Sequence, residues 1–314
     1  MHDRSINFDM IRSNRQDFCN DRSNTRDSVR REIRTAAFCR RAAEGTEGVE
    51  GVSAGGWMGP VFAWIGFLFG LLFGSFINVV GYRVPRGESV VFPRSHCPEC
   101  GRTLSAWELI PVVSWLALGG RCRTCRVPIP LRYPCIELAA GALLALTAVH
   151  AQSVLAGLAW SVFWLLLLAA VATDLTSLRV PDVLSLPGAV VVLALAILSG
   201  VRGAGGALLG MAGCALTLWG IHLLSRGRMG LGDVKLYASI GAMLGFWGGV
   251  ESLVLASIYG TVIGYGMRAA GRLKPREPVP FVPFIAMGVV TVAFFGPTLT
   301  DWYLHTLLHL PAQE

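Results

Sequence analysis

The chain has 314 residues, 53% of them apolar and 15% charged, with a mean hydropathy of +0.55 and a formal charge of +7. A soluble domain of this length carries more charge, and long apolar runs follow one another from Trp57 to Leu310. Composition thus excludes an ordinary soluble enzyme and predicts an all-α polytopic protein embedded in a lipid bilayer.

Residues 1–57 stand apart. They hold ten arginines and nine acids, show no apolar periodicity, and end in the small-residue run GTEGVEGVSAGG. The segment lacks the apolar core of a secretory signal. Its composition predicts an unstructured extension, or a natural start at Met58 with the extension untranslated. From residue 58 the pattern changes. Spans are predicted at 59–80, 134–150, 152–173, 182–199, 204–224, 232–247, 248–268 and 279–299, about eight in all. The domain reading is a first membrane helix over 58–80, a loop domain over 81–133 and a helical bundle over 134–310.

Basic residues orient the spans. The link between the first two holds Arg83, Arg86, Arg94, Arg102, Arg121, Arg123, Arg126 and Arg132; the 3–4, 5–6 and 7–8 links are also basic. The alternate links carry almost nothing, with Arg202 as the exception. The positive-inside rule places the basic links in the cytoplasm and both ends of the bundle outside. The net charge therefore reflects membrane topology and gives no indication of a nucleic-acid partner.

The first loop carries CPEC (Cys97, Cys100) and CRTC (Cys122, Cys125). Two C-x-x-C knuckles at this separation suit tetrahedral Zn²⁺, each offering two thiolates from one tight turn. Gly101, after the first pair, can take the positive φ such a turn needs. A cytoplasmic loop disfavours disulfides. A structural metal would supply folding energy to a loop with little core of its own. Four protein ligands leave no open position, so metal catalysis is not expected. Cys135 and Cys214 fall in spans as small hydrophobes, and His96 reads as a solvated loop residue.

A carboxylate at membrane depth is costly and is a functional candidate by default. Span 3 runs inward and ends at Asp174; span 6 runs outward and begins at Asp233. Both map to the cytoplasmic edge. Two adjacent aspartates share a proton, so one can activate water while the other polarises a peptide carbonyl. Gly230 and Gly232, lacking Cβ atoms, would let a substrate backbone approach Asp233. Lys235 is a candidate to snorkel to the interface or steady a negative group. Asp182, which follows Pro181, reads as a helix-start residue, with a place in the catalytic pair as the alternative. Glu137 is left open, and Glu251 and Asp301 map outward.

These pieces together resemble the type IV prepilin leader peptidases, membrane aspartic proteases with a G-x-G-D motif. GSFINVVGYRVPRG (74–87), the two cysteine pairs around WELIPVVSWL (107–116), IPLRYPCIEL (129–138), TDLTSLRVPDVLSLP (173–187), MGLGDVKLYASIGAMLG (229–245) and VPFVPFIAMG (279–288) match the family's blocks in order. Val282 stands where a glycine is expected. The resemblance implies that Asp174 and Asp233 are the catalytic pair of an inner-membrane enzyme. Its substrates would be type IV prepilins or the pseudopilins of type II secretion, cut on the cytoplasmic side. It also implies, for a chain that keeps the large loop, N-methylation of the new N-terminus with S-adenosylmethionine. Gly81, Arg83, Pro85, Glu108, Pro111 and Arg132 are the candidates for that second activity. Two other readings compete: an ion- or proton-coupled transporter with a zinc-stabilised loop, and a membrane-tethered zinc module that recruits a partner.

Overall fold

The computed structural model describes residues 58–226, 229–271 and 278–302. The expectations for residues 1–57, and for the basic residues Arg228, Arg272, Lys274 and Arg276, lie outside these. Regular structure among the described residues is helical, with two isolated antiparallel bridges, His96 to Thr103 and Arg121 to Pro128, as their only β pairing. The helices are α1 (Met58–Arg83), α2 (Val113–Ala117), α3 (Arg132–His150), α4 (Val154–Ser177), α5 (Asp182–Leu198), α6 (Ala204–Leu224), α7 (Leu231–Ala269) and α8 (Val282–Trp302). Five of them are long and apolar enough to cross a membrane; Asp182–Leu198 and Val282–Gly296 are shorter apolar helices.

Helix α4 is the hub. Its run from Leu166 to Asp174 is buried without interruption, as expected of a helix apolar on every side. It packs against α1, α3, α5, α7 and α8. Helix α1 meets α3 through Gly66, Gly70 and Gly74, spaced four apart. A Cβ at any of the three would run into the backbone of Leu144, Ala140 or Glu137. Small residues at this spacing let membrane helices come into backbone contact, where packing replaces the missing hydrophobic drive.

Helix α7 is two arms. Gly245 has φ 78° and ψ 177°, outside helical space, and divides 231–244 from 246–269. This accounts for the eighth expected span and moves the division from 247/248 to Gly245. Arg202, from the α5–α6 link, donates from Nη2 to the Leu244 carbonyl (2.5 Å) and from Nε to the Met243 carbonyl (3.3 Å). Carbonyls at a helix end have no partner within their helix, and here a guanidinium supplies one.

Candidate active site

One end of the bundle gathers the C-termini of α1 and α4 and the N-termini of α5, α7 and α8. Leu178 ends α4 in the left-handed region (φ 53°), with its N–H on the Asp174 carbonyl at 2.8 Å. The chain then turns through Arg179 and Val180 to Pro181, whose fixed φ starts α5. Thr176 Oγ1 donates to the Gly81 carbonyl at 2.6 Å, which ties the last turn of α4 to the last turn of α1.

Asp174 is buried on this rim. Its Oδ2 accepts the Val282 N–H at 3.0 Å, and the Phe281 backbone also bonds the carboxylate. The unpaired N–H groups and positive dipole end of α8 therefore point at Asp174. Asp233 is third in α7, so it stands at the helix end that meets this rim. Gly230 is the N-cap of α7, and a Cβ there would lie 3.6 Å from Asp233 Oδ2. Gly232 does something different: a Cβ on it would sit 3.2 Å from Val180 Cβ. It serves the packing of α7 against the α4–α5 turn.

Asp182 and Lys235 pair with each other. Lys235 Nζ donates to Asp182 Oδ1 at 2.5 Å, and the Asp182 side chain is 62% exposed. Asp182 is the first residue of α5, where a negative charge favours the helix N-terminus.

The four loop cysteines converge. Their sulfur atoms all lie within 4.8 Å of one another, with Cys97 and Cys125 Sγ 3.7 Å apart. Tetrahedral Zn–S bonds of ~2.3 Å require sulfurs ~3.8 Å apart, so the donor set fits the metal. The two knuckles repeat one geometry. Cys97 N–H bonds the Arg102 carbonyl at 2.9 Å, and Cys122 N–H bonds the Val127 carbonyl at 2.9 Å. The left-handed position is Gly101 in the first (φ 67°) but Arg126 in the second (φ 61°). Backbone N–H groups of Cys125 and Thr124 draw the Cys122 thiol downward, while desolvation and the neighbouring thiols push that of Cys125 up. The His96 ring bonds the Arg94 carbonyl at 3.0 Å and stays outside the cluster.

Two family models match the chain: the bacterial peptidase A24 N-terminal domain over residues 68–151 and the type IV leader peptidase family over residues 160–265. A prepilin leader peptidase/N-methyltransferase of Burkholderia pseudomallei is 37% identical over 270 residues, covering 76% of this chain and 85% of that protein. One of Bacillus subtilis is 35% identical over 246 residues, covering 77% of this chain and 98% of the relative. The chain belongs to the type IV leader peptidase family. No solved structure matches it.

The two aspartates of this leader peptidase family member lie at helix ends. A transporter would need them at mid-depth, and none of the comparisons favours that reading. Val282 departs from the expected glycine, yet the bond it makes to Asp174 comes from its backbone. Any residue but proline could supply that N–H. Several loop candidates make local contacts. A Cβ on Gly81 would meet Ala172. Arg83 donates to the carbonyls of Ser89 (2.9 Å) and Pro93 (2.7 Å). Glu108 forms a capping box with Ser105 and pairs with Arg102 at 2.5 Å; Arg102, then the Ser105 N–H, hold its carboxyl near 2. Arg132 lines a cavity between α1, α3 and the loop. The sequence reading missed the backbone donors of α8, and no side-chain pattern could have disclosed them.

Proposed function

We propose that this protein removes the leader peptides of type IV prepilins and pseudopilins at the cytoplasmic edge of the bacterial inner membrane, and methylates the N-terminus it exposes. What supports the reading is that Asp174 stands at the end of α4 and Asp233 at the start of α7, helix ends that face one rim. The arginine-rich loop shares that rim, which supports a cytoplasmic location.

In this mechanism one aspartate is ionised and its neighbour protonated. The ionised carboxylate takes a proton from water while the protonated partner hydrogen-bonds to the scissile carbonyl. The water oxygen adds to the carbonyl carbon. The peptide C–N bond then breaks as a proton passes to the leaving amine. The N–H groups of Phe281 and Val282 hold the Asp174 carboxylate in place, so little reorganisation accompanies the reaction. A prepilin presents a membrane helix directly after its cleavage site, so a rim site meets the junction as that helix lies in the bilayer. Cys97, Cys100, Cys122 and Cys125 would hold a structural zinc that stiffens the 84–131 loop. S-adenosylmethionine would supply the methyl group.

The test uses detergent-purified protein and a prepilin. Wild type should release the leader, while Asp174→Asn and Asp233→Asn should cut at less than one thousandth of that rate with unchanged melting temperatures. Wild-type rates from Asp233→Asn would end the proposal.

A further inference from the structure

A cavity of ≈ 420 Å³ lies between α1, α3 and the cysteine loop, within the range of small-molecule sites, roughly 300–1,000 Å³. Its walls include Tyr82, Trp115 and Tyr133, and its membrane-side residues include Asn78 and Glu137. Trp115 is fixed by its Nε1–H on the Ile129 carbonyl at 3.1 Å.

Glu137 is the unusual feature. It is 6% exposed, and its Oε2 accepts the Val112 N–H at 2.7 Å. Val112 has φ 61° and ψ −50°, and Val113 N–H reaches back to the Pro111 carbonyl at 2.6 Å. This is a γ-turn of positive φ, strained for any L-residue and worse for a β-branched one. Such strain persists where the surroundings over-determine it and clusters at functional sites. Here it aims an N–H at a buried carboxylate on a cavity wall.

The charges on the walls are unevenly committed. The Arg83 guanidinium is taken by loop carbonyls and Glu108 by Arg102. Among the described residues Glu88, Glu99 and Arg123 make no ion pair, and Arg132 lies over the Tyr133 ring. A fitting ligand therefore carries a carboxylate, a cationic centre and a flat ring. The wall is also shared. Asn78 and Tyr82 of α1 face the cavity, while Gly81 between them packs on Ala172, two residues before Asp174.

We propose that this cavity binds the methyl donor, an adenosyl amino-acid sulfonium, and that Glu137 receives the α-amine freed by cleavage. This rests on the methyltransferase half of the proposed function. Arg123 would hold the donor's carboxylate and Trp115 its adenine, since Arg86 already lies over the Tyr82 ring. The Glu137 carboxylate takes one proton from the α-ammonium. The amine lone pair then forms the N–C bond as the C–S bond breaks, and that electron pair stays on sulfur as a neutral thioether. The product leaves as a secondary ammonium.

The test begins with wild-type full chain in detergent and S-adenosylmethionine. Ultraviolet irradiation should place adducts on peptides holding Tyr82, Trp115 or Tyr133. Arg123→Glu, at an exposed position, should weaken equilibrium binding of the donor at least tenfold at an unchanged melting temperature. Glu137→Gln should bind the donor within threefold of wild type while methylation of a cleaved pilin peptide falls at least a hundredfold. Donor binding with adducts only outside the cavity, or with full affinity in Arg123→Glu, overturns the site while leaving methylation intact. A wild-type preparation that cleaves prepilin yet neither binds the donor nor methylates overturns both. Wild-type methylation by Glu137→Gln overturns the role of that carboxylate.

Discussion

Replacing Gly81 by alanine tests the α1–α4 joint beside Asp174. A Cβ on Gly81 would fall 2.5 Å from Ala172 Cβ and 2.9 Å from its carbonyl carbon. These are backbone or near-backbone atoms on both sides, so no rotamer change relieves the clash and α1 must move off α4 by about 1 Å. Overpacking of this kind costs about 1–3 kcal/mol. The Gly81 carbonyl would also lose its bond from Thr176 Oγ1, a further ~1 kcal/mol. The sum, about 2–4 kcal/mol, corresponds to a fall in melting temperature of roughly 5–15 °C. Asp174 follows Ala172 by two residues on the displaced helix. A misplacement of about 1 Å at reacting groups can cost ~10²-fold in rate, so kcat/KM for prepilin cleavage should drop with stability. Gly220→Ala is the control. Gly220 lies inside α6, and a Cβ there has nothing within 4 Å. That change should stabilise by about 0.5–1 kcal/mol through helix propensity alone. Melting curves in detergent and cleavage rates for both variants decide the matter. If Gly81→Ala matches Gly220→Ala in both readouts, the α1–α4 joint does not position Asp174.

Arg202→Met should destabilise by about 2–4 kcal/mol, because two carbonyls at the break in α7 lose a charged donor; a melting temperature equal to wild type would refute the cap. Cys97→Ser should lower bound zinc below half an equivalent by metal analysis and make the 84–131 loop a preferred site of proteolysis, whereas full metal content would show that three thiolates suffice. Asp182→Asn should change cleavage less than about threefold, since a surface ion pair is worth ~0–1 kcal/mol. A loss as deep as that of Asp233→Asn would place Asp182 in the catalytic pair instead.

What could be read from the chain, and what could not, follows from where the information sits. The two aspartates are remote in sequence, yet counting spans and sorting arginines by link was enough to put Asp174 and Asp233 on one rim, because each crossing reverses direction. The convergence of the four loop cysteines was legible from spacing alone, since the groups concerned are side chains. The N–H groups of Phe281 and Val282 on Asp174, and that of Val112 on Glu137, could not be read. Every residue except proline has such a donor, and only the three-dimensional path selects one. Arg202 shows the same point in reverse. Read as a loop charge, it was the single exception to the positive-inside pattern. Its guanidinium instead lies on the carbonyls of Met243 and Leu244. The rule counts charges that would have to be left in water on one side of the membrane. An arginine committed to a helix end is bound by local hydrogen bonds and reports little about orientation. With Arg202 assigned to the break in α7, the links opposite the rim that holds Asp174 and Asp233 carry no uncommitted basic residue among those described, and the charge asymmetry on which the proposed orientation rests becomes sharper than the sequence alone suggested.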